Sequence, residues 1–357
     1  MYKKINSLVG IIGDYRVEDI GPNYNTRIDY GHINNWLNQF DEQDREFLVD
    51  ELLHLLPKSY LTKMNIFEKI ITVFEVISKD YGYDNINKFF DETRFLDCQS
   101  EGKSQKFFLD FINYILIQRY DRSISNCGIS NVKNWFYIDD VLASGGTFRK
   151  EILSAIETYG TERFKESNIN IISSFVILHN WARINVPSAI DKTLQTRLGN
   201  RLQFYTVPTD VIENNPIFFI GSKPQKFNHV YPIRTDVGNQ VLDFVQEKLS
   251  GEYEFRNERY AFRDSPYPIQ ETFFSSPKNR IRYENILLDK GFEIMKSIVN
   301  LNARSLRPLG VTNPSNKTLG TGTHFFTWRN ISNTCPIVFW WDANGWTPLF
   351  PRLRGNY

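Results

Sequence analysis

Four apolar residues, Trp135-Phe136-Tyr137-Ile138, run directly into two acids, Asp139-Asp140, and then into Val141-Leu142-Ala143-Ser144-Gly145-Gly146-Thr147. The apolar run has the length of a buried strand. From Thr147 to Tyr159 the apolar positions Phe148, Ile152, Ala155, Ile156 and Tyr159 share one helical face, and Gly160 supplies the stop. The order strand, small-residue loop, helix delivers a loop to the carboxyl edge of an α/β sheet, where such sheets bind ligands. Backbone N–H groups at Ser144, Gly145, Gly146 and Thr147, with the dipole of the following helix, suit a phosphate monoester. The glycines let the backbone approach it without a Cβ in the way, and Ser144 and Thr147 add hydroxyl donors. Asp139 and Asp140 would repel that phosphate; they suit neutral ribose hydroxyls or a nearby Mg2+. The plainer reading is a buried strand and a structural turn that caps a helix. Such a turn needs neither two acids nor two adjacent glycines.

The flanking sequence continues the alternation. Arg94-Phe95-Leu96-Asp97-Cys98 is short and apolar, Gln99 to Ser104 is a polar loop, and Gln105 to Tyr120 has helical periodicity. Ile171 to Leu178, Leu202 to Val207 and Ile217 to Ile220 are further strand candidates. Strands alternating with helices predict an α/β fold with an open, mainly parallel sheet. Around this core, residues 1–30 read as a turn-rich, partly ordered opening segment. Asp41 reads as the N-cap of a helix ended by Pro57, with a second helix over Leu61 to Ser78. Tyr283 to Leu301 reads as a helix and Pro336 to Trp341 as a buried strand. The expected division is an N-terminal helical module (1–93), a core (94–250) and a C-terminal α+β extension (251–357).

Composition narrows the function class. Lys and Arg number 42 against 41 Asp and Glu, so no overall field draws the chain to nucleic acid or membrane. No apolar stretch reaches the roughly 20 residues that span a bilayer, and Asp14 follows Lys3 and Lys4 too soon for a secretory apolar core. Cys98, Cys127 and Cys335 lie too far apart for a disulfide framework or a zinc pattern. A reducing cytoplasm is the expected setting.

A second loop with chemistry is Ser100-Glu101-Gly102-Lys103-Ser104, also between a strand and a helix. Gly102 gives backbone access and Lys103 a charge for phosphate oxygens; a plain surface loop reads equally well. Gly102-Lys103-Ser104 could also end a P-loop, but the position five before Gly102 is Asp97 where that motif needs Gly. His179 ends the strand after the phosphate-loop helix; it either points into the cleft or is a hydrogen-bonded strand-end histidine. His32, His54, His229 and His324 make no metal spacing, and Trp340-Trp341 reads as core.

The run from Trp135 to Thr147 resembles the motif by which type I phosphoribosyltransferases bind 5-phosphoribosyl-1-pyrophosphate (PRPP): four apolar residues, two acids, two apolar residues, a small/hydroxyl pair, Gly-Gly and Thr. Ala143 stands where Thr is frequent. By this resemblance Asp139 and Asp140 bind the ribose hydroxyls, Ala143 to Thr147 wrap the 5-phosphate, and Ser100, Gly102, Lys103 and Ser104 receive the pyrophosphate, with Lys103 joining the two acids as catalytic candidates. Mg2+ would arrive with PRPP, no direct protein ligand to it being assured. The family's long closing loop is replaced by the short segment Asp121 to Asn134. The wider layout resembles the PRTase-like effector family of bacterial conflict and defence loci, including retron-type loci. That likeness lies in Asn35 to Arg45, in the Asp-Asp loop, and in Gly320 to Asn330 with Asn333 to Pro336. It implies a phosphoribosyltransferase-like effector, or a nucleotide-sensing module on the same fold. A defence partner such as a reverse transcriptase or its nucleic acid would accompany it.

Overall fold

The computed structural model describes residues 1–357 except 23, 130, 208–210, 215–225, 252–254, 256–257, 300 and 353–357. The candidate strand Ile217 to Ile220 lies outside the described residues. In chain order the helices and strands are α1 (Tyr2–Ile12), α2 (Tyr30–Leu37), α3 (Glu42–Ser59), β1 (Tyr60–Leu61), α4 (Lys63–Asp80), α5 (Ile86–Asp91), β2 (Thr93–Phe95), α6 (Ser104–Tyr120), β3 (Asn134–Leu142), α7 (Gly146–Tyr159), α8 (Thr161–Glu166), β4 (Asn170–Leu178), α9 (Asn180–Leu194), β5 (Leu202–Thr206), α10 (Asp236–Leu249), α11 (Pro277–Ser297) and β6 (Phe326–Thr327). They form two compact units, one of residues 64–211 and one of residues 1–63 with 212–357.

The first unit holds a four-stranded sheet in the order β2-β3-β4-β5, parallel at every junction. Side chains of β3 alternate between its two faces. Trp135 and Tyr137 join a buried cluster with Phe148, Ile152 and Ile156 of α7, Phe164 of α8, and Ala182, Val186 and Ile190 of α9. Phe136 meets Phe74 of α4 and Phe95 of β2, and Phe67 of α4 meets Phe111 of α6. The α/β fold expected from the alternating pattern is the fold observed. β3 is longer than its apolar run suggests. Asp139 and Val141 stay in register with Phe175 and Ile177 of β4, so both acids lie inside the strand rather than after it.

In the second unit, β1 pairs in parallel with β6, Tyr60 opposite Phe326 and Leu61 opposite Thr327. Three expectations are corrected here. The opening segment contains α1, which buries Ile5, Leu8 and Ile12 and turns Gly10 outward, where the glycine costs the core nothing. Pro57 lies within α3 instead of ending it. The helix runs on past it to close its last turn, the Ser59 hydroxyl donating to Leu55 O at 3.0 Å and the Tyr60 amide to Leu56 O. Residues 337–339 form a 3-10 turn, not a strand: the Trp340 and Trp341 amides both donate back to Ile337 O.

Candidate functional site

The two acids sit in the second half of β3, an interior strand of the sheet. Asp139 is buried, at 7% exposure, and Asp140 is half-buried. Asp139 Oδ1 accepts from Ser104 Oγ at 2.5 Å and from the Asp140 amide at 2.8 Å. Its Oδ2 accepts from Gln99 Nε2 at 2.9 Å, and the Tyr137 hydroxyl oxygen lies 3.2 Å away. Asp140 Oδ1 accepts from the Val141 amide at 2.8 Å. Burial first, then the neighbouring Asp139 charge, push the Asp140 carboxyl up to about 7, against the pull of Ser104 and the Val141 amide.

Beyond β3, Gly145 takes the left-handed conformation at φ 73° and precedes α7 as its N-cap. Ala143 is half-buried, Gly145 buried, and Ser144, Gly146 and Thr147 exposed. The Gly146 amide meets Ser144 Oγ at 3.4 Å. Among the described residues, no acceptor takes the amides of Thr147 or Phe148. Open amides, an exposed hydroxyl pair and a helix N-terminus together can hold a phosphate. The glycines differ in kind. A Cβ on Gly145 would lie 2.1 Å from Val186 Cγ2, so packing and backbone demand glycine there. A Cβ on Gly146 would meet only Ser144 Oγ, at 3.7 Å. Nothing in the protein's own packing demands glycine at 146.

The Ser100–Ser104 loop comes to the same acids. Ser104 opens α6 and reaches Asp139, as does Gln99 at the loop's start. Gln105 Oε1 accepts the Cys98 and Gln99 amides at 2.8 and 3.0 Å, drawing the loop's ends together. Gly102 has φ 83°, and Lys103 is exposed with no ion pair among the described residues. Asp97, Glu101, Lys106 and Asp110 help line an open cavity of about 220 Å3. Its one cation, Lys106, pairs with Asp97 and Glu101, so the cavity does not suit an anion.

Three polar residues of this cluster were not among the expected site residues: Gln99, Glu151 and Tyr137, the last counted only in the apolar run. Glu151 Oε2 accepts from the Tyr137 hydroxyl at 2.6 Å and from Gln99 Nε2 at 3.3 Å. Burial raises the Glu151 carboxyl and pushes the Tyr137 phenol far up. Tyr137 stands two residues before Asp139, hence on its strand face, and Glu151 adjoins Ile152 on α7; those spacings were the available signal. His179 is fully buried at the head of α9, and burial lowers it to about 3, so it is neutral. Among the described residues no cluster of His, Cys, Asp or Glu could hold a metal ion. No helix among them is long and apolar enough to cross a membrane.

A parallel sheet whose interior strand carries paired acids and hands over to a glycine-opened helix defines a protein of the phosphoribosyltransferase-like α/β class. The chain belongs to the PRTase-CE family, whose profile matches residues 33–352. Comparison with curated proteins found no match, and comparison with solved structures found none.

Proposed function

We propose that the sheet unit binds the ribose 5-phosphate portion of PRPP, carried with Mg2+, or of a related nucleotide-like ligand, and acts as a phosphoribosyltransferase-like effector in bacterial anti-phage defence. The observation that carries the binding reading is Gly146. It is a glycine at an exposed helix start with normal φ and open space around it, beside amides that lack acceptors. In this reading Ala143, Ser144, Gly145, Gly146 and Thr147 cradle the 5-phosphate. Asp139 and Asp140 lie on the ribose side. Ser100, Gly102, Lys103 and Ser104 receive the pyrophosphate, with Lys103 as the mobile charge. Transfer of a phosphoribosyl group, in which an acceptor displaces pyrophosphate at ribose C1, asks the protein mainly for positioning and electrostatic stabilisation. Mg2+, when bound, supplies charge neutralisation on the pyrophosphate oxygens. The defence setting, with a reverse transcriptase or its nucleic acid as partner, rests on family likeness alone.

A second reading, a sensor that binds without turnover, is favoured by the segment between α6 and β3. It is tied down at several points: the Ile124 amide donates to Asn113 Oδ1 at 2.9 Å and the Gly128 amide to Phe90 O at 3.1 Å. A Cβ on Gly128 would lie 2.8 Å from the Arg94 amide nitrogen. A segment so pinned is poorly suited to closing over a reacting centre. Calorimetric titration of the full chain with PRPP and Mg2+, run beside an assay of pyrophosphate release, separates the readings. Binding with release supports transfer, and binding alone supports sensing. Failure to bind either PRPP or ribose 5-phosphate refutes both.

A further inference from the structure

The two acids of β3 are not equivalent. We propose that Asp139 is a positioning residue that holds the Ser100–Lys103 loop ready for the pyrophosphate arm, leaving Asp140 as the acid that meets the ribose. This rests on the ribose-phosphate reading above and divides its labour differently. A carboxylate offers about four acceptor sites, and Asp139 commits three of them to Ser104 Oγ, the Asp140 amide and Gln99 Nε2, with the Tyr137 hydroxyl oxygen packed 3.2 Å from its Oδ2. At 7% exposure it offers little surface to a ribose hydroxyl. Asp140, next along the strand, is the more exposed of the two.

Two of these three donors bracket the loop, Gln99 before it and Ser104 after it. The Gln105 side chain fastens the amides of Cys98 and Gln99. Glu151 takes the Tyr137 hydroxyl and meets the same Gln99 amide, so α7 is wired into the same clamp. Between the pinned ends, Gly102 turns through positive φ and Lys103 stands exposed. A loop anchored at both ends by one buried carboxylate loses little freedom on meeting its ligand, which favours binding.

The test begins without ligand. In the full chain, Asp139→Asn sets an amide against the Gln99 amide. Hydrogen exchange of the 98–105 amides should then rise about tenfold or more, the scale of a lost charge-assisted hydrogen bond. Asp140→Asn, which keeps Asp139 with Ser104 and Gln99, should change exchange there by less than about threefold. Ser104→Ala should raise it and Ser104→Thr restore it, which keeps the question answerable if Asp139→Asn folds poorly. With ligand, Asp139→Asn should lose about tenfold or more in affinity for PRPP with Mg2+ and stay within about threefold for ribose 5-phosphate, whereas Asp140→Asn loses both. Unchanged exchange in Asp139→Asn and Ser104→Ala overturns the clamp. Loss of ribose 5-phosphate in Asp139→Asn as complete as in Asp140→Asn overturns the division of labour. If the unmodified protein binds neither ligand, the ribose-phosphate reading and the pyrophosphate role fall together, and exchange alone decides the clamp.

Discussion

Gly145 and Val186 leave no room between them: a side chain at 145 would begin 2.1 Å from Val186 Cγ2. The left-handed backbone at Gly145 adds a second objection to any other residue. Gly145→Ala should therefore cost about 2–4 kcal/mol of stability from strain and overpacking together. Gly146→Val should change stability by no more than about 1 kcal/mol while abolishing binding of ribose 5-phosphate. Denaturant unfolding and calorimetry on the two variants measure both effects. Equal destabilisation with binding kept in Gly146→Val would make the glycine pair a structural turn.

The raised Asp140 carboxyl makes a pH prediction with a definite sign. The unfolded chain releases this proton near pH 4, whereas the folded chain keeps it until about pH 7. Between those limits the folded state binds more protons, so this residue's contribution to stability declines as pH rises through that window. Asp140→Asn removes the decline. Its melting temperature should gain on the unmodified protein from pH 4 to 7 and run parallel above about pH 8. A constant offset across the whole range would show that the carboxyl is not raised.

Lys103 is exposed and unpaired among the described residues, so Lys103→Ala should move stability by no more than about 0.5 kcal/mol. Affinity for PRPP with Mg2+ should fall while that for ribose 5-phosphate holds. Equal loss for both ligands, or for neither, would remove the Ser100–Ser104 loop from the pyrophosphate site.

In the other unit, Arg280 is buried between Glu271 and Glu284, and Glu284 also accepts from Arg263 at 3.0 Å and from the Tyr231 amide at 3.0 Å. Glu284→Ala removes the carboxylate of the buried Arg263 and leaves Arg280 with Glu271 alone, and should cost about 3–5 kcal/mol. A urea midpoint shifted by only a small fraction of that would mean water reaches the cluster.

The sheet was legible because β3 and β4 carry uninterrupted apolar runs and α7 carries a clean helical face. The helix Asn180–Leu194 was not. Its Ala182, Val186, Ile190 and Leu194 recur every four residues, but Pro187 interrupts the pattern in sequence. In the fold the burial of Ala182, Val186 and Ile190 against the sheet outweighs the lost amide. At the site, the acids and glycines announce themselves by adjacency in the chain. Gln99 and Glu151 do not: they are 52 positions apart and become partners only when α7 crosses the sheet. Likewise, nothing local distinguishes Gly145 from Gly146, since the difference lies in Val186, forty residues on.

The pairing of β1 with β6 has a consequence for how the molecule is made. Tyr60 and Leu61 are synthesised early, but their partners Phe326 and Thr327 emerge some 266 residues later. Until then the Trp36 indole lacks the Val338 carbonyl it donates to, and the Tyr15 hydroxyl lacks Pro351 O. Residues 64–211, whose strands pair only with near neighbours in sequence, can fold on the ribosome while the N-terminal helices wait. Nascent chains released before Phe326 would therefore carry a finished sheet and a sticky, unfinished N-terminus, the form of this protein most in need of a chaperone.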